Sequence, residues 1–148
     1  MKPTDQRDLV VNRKARHEYH LEDHFEAGVA LLGSEVKSIR AGRANLQQAY
    51  VRVGDDGAWL VDAHVSPYEQ ANRNNHDPLR PKKLLLHATE LLKLKKGLTL
   101  KGMTVVPVRL YLKGSYVKLE LALAKGKKLH DKRESTKERE VQRDLARR

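Results

Sequence analysis

The sequence predicts a mainly β fold: a small antiparallel barrel with two or three flanking helices and a basic C-terminal tail. Three observations carry that reading. Apolar residues alternate with polar ones at period two over several runs, the signature of half-buried strands. Those runs are separated by Gly, Asp, Asn and Ser at turn positions. The last 24 residues are mostly charged, with Leu129, Val141 and Leu145 as their large apolar side chains, too few to offset the cost of ordering the segment alone.

Residues 1–11 show no periodicity and are expected to fray, and Asn12 to Arg16 form a short basic entry, so residues 1–16 read as a flexible basic segment. From Tyr19 the apolar residues Tyr19, Leu21, Phe25, Ala27, Val29 and Leu31 fall on odd positions, interrupted only at Asp23, with Gly28 as a bend. A strand this long bends around a barrel. Ser34 is a natural N-cap and Glu35 suits a first turn, so a short helix is expected over 35–41, ended by Gly42 at C′. A hairpin follows: Ala49, Val51 and Val53, a turn at Asp55-Asp56-Gly57, then Trp59, Val61, Ala63 and Val65. Residues 66–83 read as a long loop whose Arg73, Arg80, Lys82 and Lys83 add to the basic surface. Leu84 to Leu86 is a short extended run, and a helix fits 88–96 with Gly97 as its stop. Val106, Val108, Leu110 and Leu112 share one strand face, Lys113-Gly114-Ser115 turns the chain, and Val117, Leu119, Leu121 and Leu123 return on that face. Pro107, which cannot donate to a ladder, belongs at an edge or bulge. The barrel is thus expected over residues 17–124, and small barrels of this kind include the oligonucleotide-binding fold.

Charge narrows the function. The 148 residues carry a net +11. Residues 1–16 hold five basic and two acidic residues and residues 125–148 ten and five, so 8 of the 11 excess charges lie on 40 residues. Basic arms on a milder body mark a polyanion binder, nucleic acid before membrane, because neither arm has the aromatic and Leu face of an interfacial helix. No apolar run reaches membrane-spanning length, there is no signal-peptide core, and no cysteine supports a disulfide or thiolate metal site, so a cytoplasmic location is expected. His20, Glu22, His24 and Glu26 share a strand face, but neighbours on one strand converge poorly on a metal and no other segment offers a third ligand. No nucleophile elbow and no phosphate-binding loop is present, so neither an enzyme nor a cofactor is expected. Aromatic residues are 5% of the chain, which disfavours a stacking platform for generic single strands and favours a folded RNA. In the tail, Glu134/Lys137, Glu140/Arg143 and Asp144/Arg148 support a helix while Glu134/Glu138 and Arg139/Arg143 oppose it, so the tail is expected to be disordered when free and to fold on binding.

Four motifs carry a family resemblance: Asn12-Arg13-Lys14-Ala15-Arg16-His17-Glu18-Tyr19; Glu35-Val36-Lys37-Ser38-Ile39-Arg40-Ala41-Gly42-Arg43-Ala44-Asn45; Lys83-Leu84-Leu85-Leu86; and Gly126-Lys127-Lys128-Leu129-His130-Asp131-Lys132-Arg133. In this order they closely resemble the SsrA-binding protein family, also called small protein B. The resemblance implies an oligonucleotide-binding-fold barrel that holds the tRNA-like domain of transfer-messenger RNA and brings it to stalled 70S ribosomes in trans-translation. It implies elongation factor Tu as a further partner through the shared RNA, a monomer, and no cofactor, metal or membrane. It places RNA contact at Asn12, Glu26 and Leu85, with Arg13, Lys37, Arg40, Arg43 and Lys83 as the basic residues of the same motifs. It places Gly126, Lys127, Lys128, His130, Asp131, Lys132 and Arg133 in a tail that enters the decoding centre, against small-subunit rRNA, and the messenger channel as a helix. Ser34 departs from the family, where many members have Trp. The competing readings are a ribosome-associated structural RNA-binding protein and an enzyme acting on RNA.

Overall fold

The computed structural model describes residues 6–69 and 75–127, which form nine strands and three helices. In chain order these are β1 (Gln6–Val11), α1 (Arg13–Glu18), β2 (Tyr19–Val29), α2 (Gly33–Arg40), β3 (Ala44–Asn45), β4 (Tyr50–Gly54), β5 (Gly57–Val61), β6 (His64–Val65), β7 (Lys82–Leu85), α3 (Ala88–Gly97), β8 (Met103–Lys113) and β9 (Tyr116–Gly126). Seven strands make one antiparallel sheet in the order β1-β8-β9-β2-β7-β5-β4, while β3 and β6 pair as a small ribbon. The sheet curls until β4 packs against β8, a barrel-like closure without a ladder between the two. Its concave side is filled by Ala27, Leu60, Leu119 and Leu121 from the strands and by Ile39 and Leu94 from α2 and α3.

The expected long strands are present. The β2–β9 register shifts between Leu21 and His24, where alternation breaks at Asp23, and not at Gly28, the expected bend, through which the ladder runs without a shift. Pro107 sits at a second shift, between Pro107 and Arg109. That bulge changes the parity of β8. Val105, not Val106, joins Leu110 in the main core, and Val106 packs instead with Ala15 and Ala124 in a small second cluster. The expected common face from Val106 to Leu112 is therefore corrected.

Other expectations change for similar reasons. Residues 6–11 are a strand paired with β8 rather than a fraying end. The ladder is nonlocal, and a register shift between Asp8 and Val10 erases any periodicity. The folded body thus starts before residue 17 and continues past residue 124 to Gly126, which pairs with Tyr19. In the hairpin, Ala58 and Leu60 are buried rather than Trp59 and Val61. Asp62 lies at φ 59°, and this left-handed residue resets the parity so that Ala63 and Val65 point inward again. Ser34 is not the N-cap of α2. Leu32 is, its N–H donating to the Glu35 carboxylate at 2.8 Å, while Gly42 takes the expected C′ place at φ 75°. Gly97 is the last residue of α3, not its stop, and lies so near β9 that a Cβ would meet Leu123 at 2.5 Å.

The loop before β7 does not simply add basic surface. Glu35 is fully buried, and Arg80 donates to it through Nε at 3.1 Å and Nη2 at 2.6 Å. Lys82 is also fully buried, with Nζ 3.5 Å from Glu35, 2.7 Å from the Arg80 carbonyl and 3.5 Å from that of Ala63. His76 completes the contact: Nε2 donates to the Val65 carbonyl at 2.9 Å, leaving Nδ1 to accept from the Ser34 hydroxyl at 2.9 Å. Burial pushes the Glu35 carboxyl up, but the bonds from Arg80 and Leu32 and the charge of Lys82 outweigh it and hold the group below its ordinary 4.5. Burial pushes the Lys82 ammonium down, against the pull of Glu35.

Glu35→Ala leaves Lys82 buried without its counter-charge and is expected to cost about 3–5 kcal/mol, read from urea midpoints. Because the folded-state pKa of Glu35 lies below its unfolded value, its contribution is present at neutral pH and is lost as pH falls from about 4.5 through the folded pKa. Glu35→Gln is expected to flatten that acid limb of the stability curve, and an unchanged limb would show that Glu35 does not carry it.

Candidate nucleic-acid interface

The alternation that buries Ala27 and Leu84 turns Glu26 on β2 and Lys83 and Leu85 on β7 outward. Gly28 pairs with Leu85 on one side and Lys118 on the other, and Lys118 pairs with Tyr111, which makes one continuous row across four strands. Leu85 is 57% exposed, the unusual state for a Leu in the middle of a sheet. A Cβ at Gly28 would sit 3.2 Å from the Leu85 Cβ, so glycine is what lets Leu85 lie against β2.

Glu26 is held by a polar network on this face. It accepts a short hydrogen bond from the Tyr111 hydroxyl and a further one from Lys113 Nζ at 3.1 Å. The Tyr111 bond, helped by Lys113 and Lys118 and opposed by partial burial, holds the Glu26 carboxyl below its ordinary value, so it is ionised at neutral pH. Next along the sheet, Glu120 accepts from Arg109 Nε at 2.9 Å and from His24 at 3.0 Å, while Arg109 also pairs with Asp8 and stacks 4.0 Å from the Tyr111 ring centre. His24 and Glu26 therefore have protein partners and do not converge with Glu22, which lies within the register shift, or with His20, which lies beyond it. Sequence reasoning missed Tyr111 and Arg109. Their signal is polar or amphipathic side chains on the outward positions of a strand otherwise filled with Val and Leu.

Asn12 is elsewhere and is buried. Its Nδ2 donates to the Pro107 carbonyl at 2.8 Å, its backbone N–H to the Val108 carbonyl at 2.8 Å, and its Oδ1 caps α1 by accepting from Ala15 N–H at 3.3 Å. One residue thus satisfies the β8 bulge and starts α1. Arg13 follows it, exposed. Lys127 closes the other end of the same helix: its N–H donates to the Glu18 carbonyl at 2.8 Å and its Nζ to that of Arg16 at 3.0 Å. Lys37, Arg40 and Arg43 are exposed on and just after α2, with Lys37 Nζ 5.3 Å from the Tyr68 ring centre. They do not share a sheet row with Glu26, Lys83 and Leu85. The expected sites thus fall into a sheet-face group, an α1 group and an α2 group. Gly126 ends β9, while Lys128, His130, Asp131, Lys132 and Arg133 lie outside the described residues, as does Arg73.

The family model described as SmpB protein matches residues 9–148. The SsrA-binding protein of Chloroflexus aggregans is 54% identical over 140 residues, covering 94% of this chain and 89% of the relative. That of Symbiobacterium thermophilum is 55% identical over 141 residues, covering 94% and 89%. A solved structure reported as "tmRNA-SmpB: a journey to the center of the bacterial ribosome" superposes with a TM-score of 0.69 at 41% identity, covering 85% of this chain and 92% of the other.

Asn12→Ala removes the cap and leaves the buried Pro107 carbonyl without its donor. The expected loss is about 1–3 kcal/mol in the urea midpoint, with faster amide exchange at Ala15. Wild-type exchange at Ala15 in the variant would show that Asn12 does not position α1.

Proposed function

This chain belongs to the SmpB protein family, and on that premise we propose that it is a non-catalytic RNA-binding factor of trans-translation. It binds the tRNA-like domain of transfer-messenger RNA and brings that RNA to stalled bacterial ribosomes. The observation that carries this reading is the outward group on the sheet: exposed Leu85 beside Gly28, Lys83 on the same strand, and an ionised Glu26 held in place by Tyr111 and Lys113. Each supplies a distinct contact. Leu85 offers apolar surface to a base or ribose face, and Lys83 a charge for phosphate. Glu26, an acceptor that repels phosphate, suits the amino groups of bases and the 2′-hydroxyl, which mark a folded RNA.

Asn12 fits the same function indirectly: its polar atoms are spent on the β8 bulge and on α1, so it places Arg13 and the basic helix instead of touching RNA itself. Lys37, Arg40 and Arg43 on α2 supply a second basic surface for phosphate. The segment after Lys127 is the part that enters the decoding centre and the messenger channel, where Lys132 and Arg133 neutralise rRNA phosphates and Asp131 favours a helix start or accepts from rRNA donors. Elongation factor Tu joins through the shared RNA. The protein works as a cytoplasmic monomer, and among the described residues no helix is long and apolar enough to cross a membrane.

Two variants separate the parts. Leu85→Ala, at an exposed position, is expected to leave the urea midpoint within about 0.5 kcal/mol of wild type while weakening a gel shift with the tRNA-like domain about tenfold. Replacing Asp131, Lys132 and Arg133 together by Ala is expected to keep that affinity within a few-fold and to abolish tagging of nascent chains in a reconstituted reaction. Loss of RNA binding in parallel with tagging would place the tail in the RNA site and overturn this division. Retention on ribosomes through a high-salt wash would instead favour a structural ribosomal component.

A further inference from the structure

We propose that the outer face of β4, β5 and β7 is a stacking site for one unpaired base of the bound RNA, centred on Trp59 and flanked by Arg52 and Lys83. This rests on the RNA-binding function proposed above and extends it to a surface beyond Leu85. Trp59 is the only tryptophan in the chain. It sits mid-strand in β5 between buried Ala58 and Leu60, so its indole faces away from the core. Its cross-strand partners are Arg52 on β4 and Lys83 on β7. The Arg52 guanidinium lies 5.8 Å and the Lys83 ammonium 5.9 Å from the ring centre. The indole N–H is already spent on Asp56 at 3.2 Å, which fixes the ring and leaves its π face as the remaining contact surface.

A cation–π clamp that only stiffens the hairpin would use the same three residues, so further features must favour a ligand. Lys83 has no carboxylate partner among the described residues, whereas Arg52 and Lys95 have Asp56 and Asp55. Both acidic residues of the hairpin tip are thereby engaged, and an approaching polyanion meets an unneutralised cation. Lys83 is followed two residues later on the same face by Leu85, so the aromatic row continues the proposed RNA surface directly. Tyr50, 47% exposed and two residues before Arg52 on β4, adds a second aromatic ring beyond the clamp. An aromatic face with cations on either side is what an unstacked base and its neighbouring phosphates require: the base takes the ring, and the cations move from the ring to phosphate. A paired base inside a duplex could not reach the ring, so the occupant is a loop or bulge nucleotide.

Because there is one tryptophan, its emission reports on this site alone. The tRNA-like domain is titrated into the full chain, following indole emission and a gel shift in parallel. Quenching, with lower acrylamide access to the indole, is expected at the RNA concentrations that give the shift. Trp59→Ala is expected to weaken the shift about tenfold and Trp59→Phe distinctly less, in line with base–aromatic stacking. Lys83→Ala is expected to lower the slope of log affinity against log salt by about 1. A full gel shift with unchanged emission and acrylamide access overturns the stacking site and leaves RNA binding standing, and wild-type affinity of Trp59→Ala does the same. Absence of any shift overturns the RNA reading and the stacking site together. Quenching by an acidic protein but not by RNA reassigns the surface to a protein partner and also overturns the proposal.

Discussion

The buried charge cluster of Glu35, Arg80 and Lys82 is the constraint on which the rest of the molecule depends. It joins the start of α2, the end of the long loop and the first residue of β7 through one carboxylate. Its consequence for function lies in parity. With Lys82 and Leu84 drawn inward, Lys83 and Leu85 have to face outward, and a one-residue slip would exchange the two pairs. An ion pair in a core is a weak source of net stability, since desolvation consumes most of the Coulombic gain. Here its energy is better understood as setting register: a charged Lys is tolerated inside at one point only, opposite Glu35, which pins a four-residue strand too short to fix itself by hydrophobic pattern.

The sheet built on that register presents two kinds of outward surface. On β8, β9 and β2 the outward residues are mostly paired with each other: Arg109 with Glu120 and Asp8, Glu26 with Tyr111 and Lys113. Such a surface is stiff and nearly neutral, and its groups are held in orientation before any ligand arrives. On β7, β5 and β4 the outward residues are exposed apolar groups and cations with less internal satisfaction. The boundary runs along Gly28 and Leu85, between a preorganised polar half and an adhesive half.

Much of this was legible in the sequence wherever the determinant is local. Period-two runs gave β2, β8 and β9, the break in alternation at Asp23 falls where the β2–β9 register shifts, and Gly42 ended α2 where glycine was expected. The misreadings share one cause, a partner distant in sequence. Residues 6–11 become a strand only because β8 offers an edge, and Lys82 looks like a loop cation until Glu35, 47 positions earlier by number, is placed beside it. Parity errors arose where one residue resets the count: at the bulge after Pro107 and at Asp62 with its positive φ. The family motifs picked out candidate site residues, yet gave no sign that Asn12 is buried and spent on backbone carbonyls while Leu85 is bare.

The anchoring of Lys127 on the last carbonyls of α1 has a consequence for how two weak attachments combine. A free linker would let whatever follows it explore a broad volume, diluting it at any second site. Here the chain leaves from a point clamped to Glu18 and Arg16, on the helix that Asn12 fixes to the barrel wall. Under the function proposed above, the body and the segment beyond it form a bivalent ligand joined at this clamped point. Once the body is seated, the local concentration of the second arm at its target is set by the direction in which α1 points, and affinity gained this way needs no contact beyond those each arm already makes.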